Sequence, residues 1–223
     1  TPPLFRSSAA SDVYKRQEIT LPTKPVQHID DEEGEIALCI LSAINLGLIK
    51  DKEELEELCD LSVRALDEII DYQEYPVVAA KKSTEARRSL GIGYIGLAHY
   101  LAKNKVKYNN KEAWKLVDEV TEAFQYFLLK ASNQLAQEKG KCDYFERTKY
   151  ADGILPIDTY KKDVDNIVKR KLSYDWTNLR KTIKEHGLRH STLSAQMPSE
   201  SSSVVSNLSL IHISEPKRLA TIS

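Results

Sequence analysis

The residues of this sequence with types and spacing suited to chemistry are Pro198, Ser199, Glu200, Ser201 and Ser202. They sit inside TLSAQMPSESSSVVS, which runs from Thr192 to Ser206. Thr192 to Met197 is short, partly apolar and rich in strand formers. Pro198 ends that run, and five of the next eight residues are serines. A strand halted by proline, then small hydroxyl residues before an apolar pair, spells a strand-to-helix turn. Such a turn aims free backbone N–H groups and the positive end of a helix at one point, an arrangement that holds a phosphate. The same residue types also make an ordinary N-cap after a solvated serine loop, and on composition that plainer use is the commoner one.

Other chemistry-bearing residues are weaker candidates. Gly91, Gly93 and Gly96 spell Gly-x-Gly-x-x-Gly, which in a dinucleotide fold must follow a hydrophobic strand closely and open a helix. Here KKSTEARRS precedes the glycines and reads poorly as a buried strand. Their expected role is close packing where a tight segment enters a helix near Leu97 to Lys103. His99 has no second ligand near it in sequence and reads as a packed or surface histidine. Cys39, Cys59 and Cys142 are odd in number and far apart, with no Cys-x-x-Cys spacing. That argues against a disulfide framework and a structural zinc, and fits a reducing cytoplasm.

The elements that must position the serine turn are mostly helical. A chain of 223 residues with 41% hydrophobic and 29% charged side chains is long enough for a sizeable core. Its 32 basic and 33 acidic residues nearly cancel, which leaves no electrostatic case for nucleic acid. Apolar runs are broken by charge well short of a membrane span. EITLPTKP, from Glu18, reads as a short strand stopped by Pro22 and Pro25, and Ile36 to Ile44 as a buried strand. Asp51 caps a helix with Leu55, Leu58, Cys59, Ala65, Leu66, Ile69 and Ile70 on its apolar stripe. Asn109 or Asn110 opens the longest helix, whose face runs from Ala113 through Phe124 and Phe127 to Leu135 and which stops at Gly140. Asp158 is expected to cap a helix through Ile167, and Asp175 another through His186. The class is α/β with helix predominating.

Seven blocks in order carry a resemblance: EITLPTKP (18–25), GEIALC (34–39), NLG (45–47), RRSLGIG (87–93), LPIDTYKKD (155–163), HGLR (186–189) and MPSESS (197–202). Together they resemble the large, catalytic (alpha) subunit of class I ribonucleotide reductase, over residues 18–207. The resemblance covers only a late part of that longer protein.

The resemblance implies part of a ten-stranded α/β barrel and the reduction of ribonucleoside diphosphates to deoxyribonucleotides for DNA synthesis. In that family a thiyl radical removes the substrate's 3′ hydrogen, a cysteine pair supplies electrons, and a glutamate and an asparagine handle protons. The implied partners are the ribonucleoside diphosphate, a di-iron small subunit that supplies the radical, thioredoxin or glutaredoxin, and a second large subunit. ATP and deoxynucleotide effectors would bind elsewhere, and this segment would hold no cofactor of its own. The segment matching Pro198, Ser199, Glu200, Ser201 and Ser202 holds the substrate's diphosphate, and Ser201 stands where relatives commonly have Thr, keeping a hydroxyl.

Departures accompany the match. The radical cysteine and its partners belong upstream of Glu18, and a redox cysteine is expected two residues before Glu18, where this chain has Arg16. Residues 1–17 and 208–223 resemble adapter-derived sequence rather than reductase. None of the three cysteines matches a redox position. The expectation is therefore an incomplete reductase segment, inactive by itself. The alternatives are a nucleotide-binding module without chemistry and a helical scaffold.

Overall fold

A computed structural model describes residues 19–199 together with Ser202, Val205 and Ser206. The flanks at 1–17 and 208–223, and Glu200 and Ser201 of the serine turn, lie outside the described residues. In chain order the elements are β1 (Ile40–Asn45), α1 (Lys52–Tyr72), α2 (Val78–Arg87), β2 (Leu90–Ile95), α3 (Leu97–Lys103), α4 (Lys111–Lys139), a 3-10 turn (Phe145–Arg147), α5 (Pro156–Thr159), α6 (Asp163–Val168) and α7 (Trp176–His186).

β1 and β2 pair in parallel, Ile40 opposite Leu90 through Asn45 opposite Ile95. A parallel pair needs a crossover, and here α1 and α2 supply it. Ile40, Ile44, Leu90, Ile92 and Tyr94 belong to the core with the helices. The alternate positions Leu41, Ala43, Gly91 and Gly93 share the other face, because side chains alternate along a strand. On the far side of β2, Ser194 bridges Ile92 in parallel. A third segment, from Thr192 to Ala195, thus runs beside β2, joined to it by a few backbone hydrogen bonds and one isolated bridge rather than as a third strand of the sheet.

The two long helices form where caps and stripe agree. The Asp51 carboxylate accepts the Glu54 N–H at 2.8 Å and the Asn110 amide oxygen accepts the Ala113 N–H at 2.8 Å, each satisfying a free donor of the first turn. Gly140 closes α4, its N–H donating to Ala136 O. α1 lies along α4, and Leu55, Cys59, Val63, Leu66 and Ile70 meet Ala123, Phe127, Leu128 and Leu135 in the core.

Several sequence expectations change. Residues 19–23 form no strand, and only Lys24 bridges Glu35; with Pro22 and Pro25 on either side, the ladder cannot extend. The strand expected at Ile36 to Ile44 forms later, at Ile40–Asn45, and is only partly buried, with Leu41 40% exposed. Ala65 and Ile69 face solvent on α1, while Val63 and the charged Asp67 are buried. Asp158 caps no helix through Ile167. It accepts the Leu155 N–H at 2.8 Å and pairs with Arg180 at 2.7 Å, and two short helices, α5 and α6, replace the single one. KKSTEARRS lies mostly in α2, so β2 itself contains Gly91 and Gly93.

Candidate functional site

The two parallel strands end on the same side, β1 at Asn45 and β2 at Ile95, and the segment bridged to β2 at Ser194 runs in the same direction toward Met197. Ligand crevices of parallel α/β sheets open at these carboxyl ends, because the loops and helix N-termini converge there. Pro198 follows directly and is exposed, and Ser199 is half-buried. Ser202 and Val205 have helical backbone, and Ser206 N–H donates to Ser202 O at 3.0 Å. The strand-to-helix turn expected from sequence is thus described only at its two ends, the segment bridged to β2 at Ser194 and the helical backbone at Ser202. Glu200 and Ser201, the middle of the turn, lie outside the described residues.

Glycine at position 93 lets the third segment come close. A Cβ built there would overlap Ala195 O and Met197 Cε, a separation real Cβ atoms do not reach. Across the sheet, Gly96 turns the chain with φ 75° and lies against the Asn45 amide oxygen. That oxygen accepts the Gly47 N–H at 3.1 Å. The Asn45 Nδ2 is shielded from solvent and has no hydrogen-bond partner among the described residues. The glycine triplet therefore serves close approach in a parallel sheet and the start of α3. His99 packs against Gly47.

The opposite, amino-terminal ends of β2 and the third segment meet a buried charge cluster that sequence reasoning missed. Asp67 of α1 is fully buried and accepts from Arg88 Nε at 2.5 Å and His190 Nε2 at 3.1 Å. Burial raises the Asp67 pKa, but hydrogen bonds from His190 and Arg88, and their charges, outweigh it and hold the carboxylate well below its ordinary range. Burial dominates at His190 and lowers its pKa, against the pull of Asp67. The imidazole is then neutral, donating through Nε2 to Asp67 and accepting through Nδ1 from Ser132 Oγ at 2.9 Å. The available clue was a charged residue inside the α1 stripe, four after Val63 and three before Ile70.

The two buried thiols sit in surroundings that favour the neutral form. Burial pushes Cys59 up to about 12 and Cys142 up to about 11, which suits packing rather than nucleophilic chemistry. Among the described residues no group of three or more His, Cys, Asp or Glu side chains is arranged to hold a metal ion, and no helix is long and apolar enough to cross a membrane. A groove of about 490 Å³ between α3, α4 and α6 is lined by Leu97, Leu101, Trp114, Val117 and Ile167 among others, and includes none of the strand-end residues.

A helix-rich segment around a small parallel sheet, with helices as its crossover, fits the α/β class and part of an α/β barrel. Residues 17–210 match the family described as "Ribonucleotide reductase, barrel domain", and the chain belongs to that family. It is 63% identical over 190 residues to the ribonucleoside-diphosphate reductase subunit alpha of Buchnera aphidicola subsp. Schizaphis graminum, covering 85% of this chain and 25% of that protein. It is 64% identical over 190 residues to the subunit of the same name in Haemophilus influenzae, with the same coverage. The match to that of Enterobacteria phage T4 is 46% over 192 residues, again 85% of this chain and 25% of the relative. The chain thus spans about a quarter of the length of these relatives. The resemblance and the helix-rich α/β fold expected from sequence both hold.

Proposed function

We propose that residues 18–207 contribute the substrate-diphosphate loop of a ribonucleoside-diphosphate reductase, with Pro198, Ser199, Glu200, Ser201 and Ser202 forming the cradle. The observation that carries this reading is the turn's place: Ser199 follows a segment parallel to β2 at the sheet's carboxyl edge, and the backbone is helical by Ser202. A diphosphate there would meet serine hydroxyls and N–H groups not yet used by the helix. The chain's own residues would hold and orient the substrate by its phosphates, leaving the ribose toward the strand ends. The reaction in this reading is radical reduction of a ribonucleoside diphosphate in the cytoplasm. It depends on an iron-bearing small subunit and on thioredoxin or glutaredoxin, within a large-subunit dimer. None of Cys39, Cys59 and Cys142 is assigned a part in it, and the chain by itself is expected not to turn over.

The test grafts Ser199→Ala with Ser202→Ala into a full-length relative. Losing two phosphate hydrogen bonds should raise KM by about tenfold or more, with kcat changed far less, since uniform binding is what is removed. An unchanged KM would instead support a helical scaffold in which the serine turn is an inert cap.

A further inference from the structure

The third segment is tied to β2 by few backbone hydrogen bonds. Leu90 N–H donates to Thr192 O at 3.1 Å, Ile92 N–H to Leu193 O at 2.8 Å, and Ala195 N–H to Ile92 O at 3.1 Å. The ladder is short, and register also rests on the burial of Leu193, Ala195 and Met197 along one face and on Ser194 Oγ donating to Gln125 Oε1 at 2.7 Å. A slip of one residue would move the segment by about 3.3 Å and turn each side chain to the opposite face, carrying Ser199 and Ser202 with it. Anything that pins the start of the segment against the start of β2 adds to these constraints on the axial position of the turn.

Asp67 has the geometry to do this. Besides Arg88 Nε and His190 Nε2, its carboxylate lies 3.3 Å and 3.4 Å from Arg189 Nε and 3.6 Å from Lys139 Nζ. Arg88 Nη2 also donates to the Asp67 carbonyl at 2.8 Å, and its two terminal nitrogens grip Asp71 at 2.7 and 2.8 Å. Arg88 has φ 47°, a left-handed backbone that a non-glycine residue keeps only when its surroundings enforce it. The pairing is informative. Ser194 bridges Ile92, an offset of 102 residues, and the Ser191 and Ser89 hydroxyls meet at 3.1 Å with the same offset. Arg88 and His190 also differ by 102, so one carboxylate holds the two register partners just ahead of β2 and the third segment. Ser191 N–H donating to Arg87 O at 2.9 Å completes the clamp.

We infer that Asp67 is a positioning residue for the diphosphate loop: by gripping Arg88 and His190 together it sets the register of the segment that presents Pro198 to Ser202. This rests on the diphosphate reading above. Asp67 touches the starts of β2 and the third segment and acts on the turn only through them.

The experiment compares Asp67→Asn with Glu122→Gln in the full chain. Glu122 is a matched control, a buried carboxylate paired with Arg170 at 2.6 Å and with Trp176 Nε1 at 3.0 Å, its hydrogen bonds running to residues 170–176 and not to the third segment. Calorimetry with inorganic pyrophosphate and amide hydrogen exchange are read where circular dichroism shows unchanged helix. Asp67→Asn should weaken pyrophosphate binding by about tenfold or more and speed exchange at Ser191 and Ala195, while Glu122→Gln changes binding by less than about twofold. Equal behaviour of the two variants would overturn the inference. If Asp67→Asn does not fold, Arg189→Gln, which keeps the carboxylate and removes one strand-start cation, is read against the same control with the same two outcomes. If the parent chain binds no pyrophosphate, the diphosphate reading fails, and exchange at Ser191 and Ala195 decides separately whether Asp67 holds the segment.

Discussion

Gly93 shows how one missing side chain shapes the candidate site. Its Cα faces Ala195 O and Met197 Cε so closely that a methyl group must displace one of them. Gly93→Ala should therefore push the third segment off β2 and lower stability by about 1–3 kcal/mol, the usual cost of overpacking. Urea unfolding checks the loss, and faster amide exchange at Ala195 would locate it. In sequence, Gly93 is legible as a position of close approach, but the atoms that approach it lie about a hundred residues downstream and no local pattern names them. Asp67 is the converse case. A lone charge in an apolar stripe is visible in the sequence, yet its partners Arg88, Arg189 and His190 come from two other parts of the chain, and only folding brings their guanidinium and imidazole groups around it.

At the scale of elements, the helices most legible in the sequence are those whose stop and start residues agree with their apolar period. α4 begins after Asn110 and ends before Gly140, as its caps and stripe require. α7 begins after Asp175, whose carboxylate accepts the Asn178 N–H at 2.9 Å, and ends before Gly187. Asn110→Ala should remove one satisfied first-turn donor and cost about 1 kcal/mol. Thermal unfolding should register that as a small drop with unchanged helix content. The strands were less legible. β1 starts four residues later than its apolar run suggests, because strand limits follow the pairing partner, here Leu90–Ile95. The short helices α5 and α6 read as one element in the sequence, since Asp158 looks like a cap until Arg180 and the Leu155 N–H claim its carboxylate.

For the whole molecule, the buried cluster makes stability depend on acid. His190 has a folded-state pKa below its ordinary value of about 6.5, so the unfolded chain binds more protons as pH falls through that value, and stability declines. Asp67 is depressed as well, so its contribution is present above the ordinary carboxylate pKa of about 4 and is lost as pH falls below it. Urea midpoints should stay level from pH 8 to 7, fall as pH drops below about 6.5, and fall again below about 4. His190→Gln should abolish the first decline and keep the second. What the sequence determines by itself here is local: caps, apolar periods, the turn at Pro198, and seven ordered blocks shared with ribonucleotide reductase. These are set by residues within a few positions of one another, or by direct likeness. The tertiary structure decided which segments lie beside β2, in what register, and which buried carboxylate grips the starts of β2 and the third segment, because those contacts join residues far apart in the chain and depend on how α1 and α4 pack.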